Sequence, residues 1–83
     1  VDLCLLKVPL RSTYAFRVNT RGQPQLGADV HVIGHPQGFD YTLSKGNLSA
    51  HRPPKTAADI DMIQITAPIS PGNSGGPVLD RHG

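Results

Sequence analysis

The sequence holds one cysteine, Cys4, and no tryptophan among its 83 residues. A single cysteine cannot form an intramolecular disulfide, so the disulfide-dense secreted scaffolds are excluded while the cellular compartment stays open. Long apolar runs are missing as well, since no stretch approaches the roughly twenty residues that a membrane-spanning helix needs. We therefore expect no membrane span in this segment.

Neither positive nor negative charge predominates in the sequence, and the basic residues are not clustered. Eight lysines and arginines stand against six aspartates and glutamates, which gives a formal net charge of +2. The basic residues are spread from Lys7 to Arg81, whereas a nucleic-acid interface needs them gathered on one face. Nucleic acid is therefore not an expected partner.

Helical periodicity is absent, and short strands separated by turns take its place. The chain has nine glycines and eight prolines, and no window holds apolar residues at i, i+3, i+4 and i+7 over three turns. Five strands are predicted, at residues 3–8, 28–34, 41–50, 60–67 and 76–79. Gly46, in the third of them, predicts a bulge or a tight bend. Short strands at this spacing indicate an antiparallel sandwich or barrel.

The chemistry of the chain is concentrated at residues 70–78, where Ser74 has glycines at positions −2, +1 and +2. A serine nucleophile must stand clear of the backbone, and small neighbours let a substrate carbonyl approach it. The N–H groups of Gly72 and Ser74 can then point at one spot, where the oxyanion of a tetrahedral intermediate would lie. The alternative is a glycine-rich hairpin turn with an incidental serine. The strand before the motif and Pro77 after it favour the nucleophile.

Five segments together resemble one family, the trypsin-like serine peptidases of the HtrA type. Residues 72–77 (GNSGGP) resemble its nucleophile motif, in the variant with Asn before the serine. The other four are residues 2–8 (DLCLLKV), 33–38 (IGHPQG), 44–50 (SKGNLSA) and 63–69 (IQITAPI). Their order and spacing fit the family, and only the segments at 9–28 and 51–59 lie outside the resemblance.

The resemblance implies an all-β, antiparallel fold that forms part of a chymotrypsin-like double β-barrel. Residues 1–8 would be the last strand of the first barrel, 9–28 the connection between barrels, and 29–83 an incomplete second barrel. The chain would then be a fragment of one trypsin-like peptidase domain, entered in mid-domain.

The resemblance also implies roles for individual residues. Ser74 would be the nucleophile, and Asp2 would orient the catalytic histidine and stabilise its charged form. The backbone N–H groups of Gly72 and Ser74 would form the oxyanion hole. Because the family order is His, Asp, Ser, the histidine would lie upstream of Asp2 and outside this chain. Asn73 carries no charge, so activation by pairing a carboxylate with a new N-terminus is implied to be absent, and no metal or cofactor is implied.

The four histidines of the chain leave a second order open. The subtilisin order is Asp, His, Ser, which His31, His35 or His51 would satisfy. A subtilisin nucleophile opens a helix, whereas Pro77 and Val78 continue as a strand, so the chymotrypsin order is favoured. The i, i+4 spacing of His31 and His35 suits zinc ligands on a helix, but the β-branched residues between them indicate a strand.

The expected function is that of a serine endopeptidase, which cleaves polypeptide substrates through an acyl-enzyme. A non-catalytic pseudopeptidase or peptide-binding module on the same fold stays open as the alternative. Ile69 would line the primary specificity pocket, and its apolar side chain predicts cleavage after small to medium aliphatic residues. The resemblance further implies a homotrimer of the parent protein and an extracytoplasmic or secreted location, which the residues themselves do not address.

Overall fold

The computed structural model describes residues 3–38 and 40–83, in which the regular structure is one antiparallel sheet. Its strands are β1 (Asp29–Gly34), β2 (Thr42–Arg52), β3 (Met62–Ile65) and β4 (Val78–Leu79). Their order across the sheet is β3-β2-β1-β4, and a 3-10 turn at Pro36–Gly38 follows β1. The all-β, antiparallel prediction is confirmed. No helix of the described residues is long and apolar enough to cross a membrane.

The pair formed by β1 and β2 is the centre of the sheet. The two strands pair along the whole of β1, from Asp29 opposite Asn47 to Gly34 opposite Thr42. The β-branched residues of β1 suit a pleated surface, and their period of two places Val30 and Val32 on the buried face, 5% and 3% exposed. The strands predicted at 28–34 and 41–50 therefore match the structure to within two residues at each end.

Gly46 does not form the bulge or bend predicted for it. It lies opposite Val30 in regular register, and the irregularity of β2 lies further along, between Leu48 and Ala50. A Cβ added at Gly46 would lie 2.2 Å from the backbone N of Ala67. A close approach of two backbones therefore requires glycine at this position. Besides a bulge or a tight bend, this is another reason for a glycine within a strand.

The hydrophobic core of the described residues is small. The buried apolar side chains are Val30, Val32, Leu48 and Ala67, and Ile65 packs against this group. Only Leu48 among the large side chains is almost fully enclosed, at 1% exposure. So few buried groups do not offset the conformational entropy of ordering a chain of this length.

The strand predicted at residues 3–8 is wrong, because the structure has no regular element there. The apolar side chains that suggested a strand buried on both faces are exposed, Leu3 by 88% and Leu5 by 96%. Within residues 3–38 and 40–83, no strand pairs with this segment. Its N–H and C=O groups therefore have no ladder partner, and its side chains have no sheet face to cover.

We expect the 83-residue chain by itself to show no cooperative thermal transition, because its core is small and the edges of β3 and β4 are open. Circular dichroism during heating would measure this, and binding of the dye ANS would report the exposed apolar surface. The whole protein, treated identically, is the control. A sharp transition from a monomeric chain at moderate temperature would contradict the expectation.

Candidate active site

Ser74 lies in a loop, residues 70–76, that consists of two successive tight turns. In the first turn the N–H of Asn73 donates to the carbonyl of Ser70 at 3.1 Å. Pro71 occupies its second position, and Gly72 occupies its third with a φ of 105°. Proline followed by a residue of positive φ is the pattern of a type II turn, which explains why these two residues stand here.

The second turn places Ser74 at its corner. The N–H of Gly76 donates to the carbonyl of Asn73 at 2.9 Å, and Gly75, at the third position, has a φ of 81°. Nothing lies within 4 Å of a Cβ built on Gly75, so glycine is needed there for its conformation alone. Ser74 itself is exposed, as a nucleophile that must meet a substrate requires.

The loop packs backbone to backbone against the end of β1 and the turn that follows it. A Cβ on Gly72 would lie 2.2 Å from the carbonyl oxygen of His35, and one on Gly76 would lie 2.4 Å from that of Ile33. Both glycines are therefore required by contact inside the protein. The sequence pattern predicts small neighbours of Ser74 for the approach of a substrate, and this packing neither requires nor opposes that reason.

Hydrogen bonds join the same two segments. The N–H of His35 donates to the carbonyl of Gly72 at 3.3 Å, and the N–H of Gln37 donates to the carbonyl of Pro71 at 2.8 Å. Two consecutive carbonyls of the loop at residues 70–76, called the nucleophile loop after its expected role, are thus held by the turn after β1. This contact is not predictable from the sequence, because the HPQG pattern at residues 35–38 indicates a turn but no spacing rule connects it to a loop far along the chain.

Several N–H groups of the loop have no backbone acceptor among the described residues. Among the described residues, the N–H groups of Gly72 and Ser74 donate to no backbone carbonyl. The N–H of Asn73, which lies between them, closes the first turn. The N–H groups of Gly72 and Ser74, which are expected to form an oxyanion hole, are therefore available, as are those of Ser70 and Gly75.

The side chain of Asn73 fills the space beside β1. A Cβ on Gly34 would lie 2.7 Å from its Oδ1 atom, and this oxygen is buried without a hydrogen-bond partner among the described residues. An unpaired neutral amide oxygen costs far less than an unpaired buried carboxylate. The uncharged residue is therefore compatible with a loop that has no cationic partner at this point.

Two further expected site residues are Asp2 and Ile69. Asp2 lies outside the described residues, and Ile69, just before the first turn, is 61% exposed. In the described part of the chain, no histidine forms a hydrogen bond with the Ser74 hydroxyl, and three of them have other side-chain partners: His35 with Asp40, His51 with Asp61, and His82 with Arg81. Within residues 3–38 and 40–83, no group of three or more His, Cys, Asp or Glu side chains could hold a metal ion.

Comparison with known proteins gives one consistent result. The model of the trypsin-like peptidase domain matches residues 1–83. The chain is 36% identical over 89 residues to Protease Do-like 1, chloroplastic, of Arabidopsis thaliana, covering 99% of this chain and 20% of that protein. It is 35% identical over 83 residues to a probable periplasmic serine endoprotease DegP-like of Pseudomonas putida (strain W619), covering 99% of this chain and 17% of that protein. The chain thus spans a fifth or less of the length of these relatives.

A solved structure has a similar fold. The crystal structure of Rv3671c from M. tuberculosis, a serine-to-alanine mutant in its inactive form, superimposes with a TM-score of 0.62 at 28% sequence identity. The match covers 76% of this chain and 35% of that chain. The fold of the matched part of the chain is therefore similar to one seen experimentally.

We expect Gly76→Ala to destabilise the whole protein more than Gly75→Ala does. The Cβ at position 76 would meet a backbone oxygen of β1 at 2.4 Å, which the sheet cannot move aside, so a loss of about 3 kcal/mol is expected. At position 75 the only cost is the positive φ, about 1–2 kcal/mol. Urea unfolding of both variants measures the difference. Equal losses would mean that the loop does not rest on β1 as closely as the structure has it.

Proposed function

The chain belongs to the trypsin-like peptidase family, and we propose that it carries the nucleophile of an HtrA-type serine endopeptidase that works through a Ser-His-Asp triad. One observation carries the proposal. Ser74 stands exposed at the corner of a turn, and its own N–H and that of Gly72 are free of backbone acceptors in the described residues. A nucleophile beside two available donors is the arrangement that acyl transfer needs.

In the proposed reaction the Oγ atom of Ser74 attacks the carbonyl carbon of a peptide bond. Its proton passes to the catalytic histidine, which the family order places upstream of Asp2. The histidine then returns the proton to the leaving amine as the C–N bond breaks, which leaves an acyl ester on Ser74. Water hydrolyses this ester by the same sequence in reverse, and Asp2 keeps the histidine in the required tautomer.

The N–H groups of Gly72 and Ser74 stabilise the negative charge that develops on the substrate oxygen. Loss of one donor of this kind costs about 3 kcal/mol of transition-state stabilisation. The two turns support this role, because they engage the N–H groups of Asn73 and Gly76 and leave those of Gly72 and Ser74 without a backbone acceptor among the described residues.

The proposed substrates are polypeptides, cleaved after small to medium aliphatic residues. Ile69 lies just before the first turn and offers an apolar, largely exposed side chain. The nearest carboxylates upstream are engaged elsewhere: Asp59 accepts from two backbone N–H groups of its own loop, and Asp61 contacts His51. A cationic substrate side chain would find no partner beside Ile69, whereas burial of an aliphatic one is worth about 1.5–3 kcal/mol.

We expect Ser74→Ala in the whole protein to abolish labelling by a fluorophosphonate probe and to lower casein cleavage by about 10⁴-fold or more. Ser70→Ala is the matched control, because Ser70 lies in the same loop and contributes to the turn through its backbone carbonyl. This variant should retain both the probe labelling and the casein cleavage. The isolated 83-residue chain should stay unlabelled, because an unassisted serine hydroxyl is a weak nucleophile.

A wild-type protein that neither reacts with the probe nor cleaves casein would instead support the non-catalytic alternative, a peptide-binding module on the same fold. Labelling of the isolated chain above its own Ser74→Ala variant would mean that one of its four histidines acts as the base.

Cleavage of a peptide library by the whole protein should favour Val, Ala or Leu before the cut bond. Ile69→Asp should shift the preference towards Lys and Arg, since a carboxylate there supplies the missing partner, while Ile69→Val should leave it unchanged. Wild-type preference for Lys, Arg or Glu would show that residues other than Ile69 set the specificity.

A further inference from the structure

Thr66 joins the end of β3 to the middle of β2. The pairing of the two strands ends at Leu48, opposite Ile65, and Thr66 is the next residue of the chain. Its N–H donates to the carbonyl of Asn47 at 2.9 Å, and its hydroxyl Oγ1 accepts from the N–H of Asn47 at 2.8 Å. The hydroxyl thus takes the place of the main-chain carbonyl that would accept this N–H in a regular ladder.

Asn47 is held in turn by its own side-chain amide. Its Nδ2 atom donates to the carbonyl of Gly27 at 3.1 Å and to Oδ1 of Asp29 at 3.0 Å. Asp29 is the first residue of β1 and lies opposite Asn47 in the sheet. The residue to which Thr66 is bonded is therefore fixed to the segment that begins β1.

The residue after Thr66 is packed tightly against β2. Ala67 is buried, at 4% exposure, and a Cβ built on Gly46 would lie 2.2 Å from its backbone N and 2.6 Å from its Cα. Because no space remains between the two backbones, a change in the distance between Thr66 and β2 cannot be absorbed at Ala67. Such a change is passed along the chain.

Ile69 lies two residues further along, in a stretch with little support of its own. Residues 67–69 form no backbone–backbone hydrogen bond with any other described residue, and the side chain of Ile69 is 61% exposed. The position of Ile69 is therefore set by the two ends of the stretch. These are the bonds of Thr66 on one side and the turn that begins at Ser70 on the other.

We infer that Thr66 is a positioning residue for substrate selection: its hydroxyl bond to Asn47 sets where Ile69 stands beside the substrate side chain that precedes the cut bond. The inference rests on the proposed function and extends it to a residue that acts through Ile69 without touching the reacting atoms. The property required at position 66 is a hydroxyl acceptor at the end of β3.

The test compares two peptide substrates of the whole protein that differ only in the residue before the cut bond, Leu in one and Gly in the other. Thr66→Val keeps the shape of threonine and removes the acceptor. One hydrogen bond of this kind is worth about a factor of 3–10, so we expect the Leu-to-Gly ratio of kcat/KM to fall by about that factor. The kcat/KM for the Gly substrate should stay unchanged, because glycine has no side chain to bury. Labelling of Ser74 by the fluorophosphonate probe should also be retained.

Two variants serve as controls. Thr66→Ser retains the hydroxyl and should keep the wild-type ratio. Thr42→Val removes a hydroxyl that donates to the carbonyl of Asp40 at 2.8 Å, at the start of β2, and should lower thermal stability without changing the ratio. If Thr66→Val does not fold, Thr66→Ala removes the same acceptor with a smaller side chain and should give the same fall.

The outcomes separate this inference from the proposed function. A wild-type protein without Ser74-dependent probe labelling contradicts both. An active wild type in which Thr66→Val or Thr66→Ala folds and keeps the Leu-to-Gly ratio overturns the inference alone. An equal loss of kcat/KM on both substrates would also overturn it, because Thr66 would then support the fold in general. A fall in the ratio that Thr66→Ser shares would show that the hydroxyl is not the cause.

Discussion

The direct contact of two backbones, at the end of β1 and at the nucleophile loop, is the constraint on which the rest of the site depends. Gly34, Gly72 and Gly76 each occupy a place where a Cβ would collide with the facing segment. Two hydrogen bonds from the turn after β1 hold the loop in the same place. Ser74 therefore owes its position to main-chain atoms, and the glycines around it are determined by packing as much as by chemistry.

β1 is well suited to support the loop, because it is held on both sides. It pairs with β2 along its whole length and with β4 at His31 and Val32, so both of its edges are satisfied. Val30 and Val32 anchor it in the small core, and the N–H of Ile33 donates to the carbonyl of Pro77, directly after the loop. The chain thus passes Ser74 and returns at once to the strand that supports the loop.

Sequence reasoning reached the parts of this arrangement that local pattern determines. The β-branched run of β1 and the glycines around Ser74 are local signals, and the strand and the loop at residues 70–76 were predicted from them. The segment at 3–8 has an equally strong apolar pattern, but a strand forms only where another strand accepts its hydrogen bonds. The contacts of Gly46 and Gln37 were not predicted for a related reason. Each contact is made with a backbone segment that is distant in the sequence, and no sequence spacing indicates that the two segments are close.

The composition of the nucleophile loop has a consequence for how the site responds to its surroundings. Residues 70–76 contain no ionisable side chain, the Asn73 amide is neutral, and the bonds that hold the loop are between main-chain amides. Neither acidification nor salt acts directly on interactions of this kind, because there is no charge to titrate or to screen. Whatever displaces the few residues after β1 therefore displaces the loop at residues 70–76 with them.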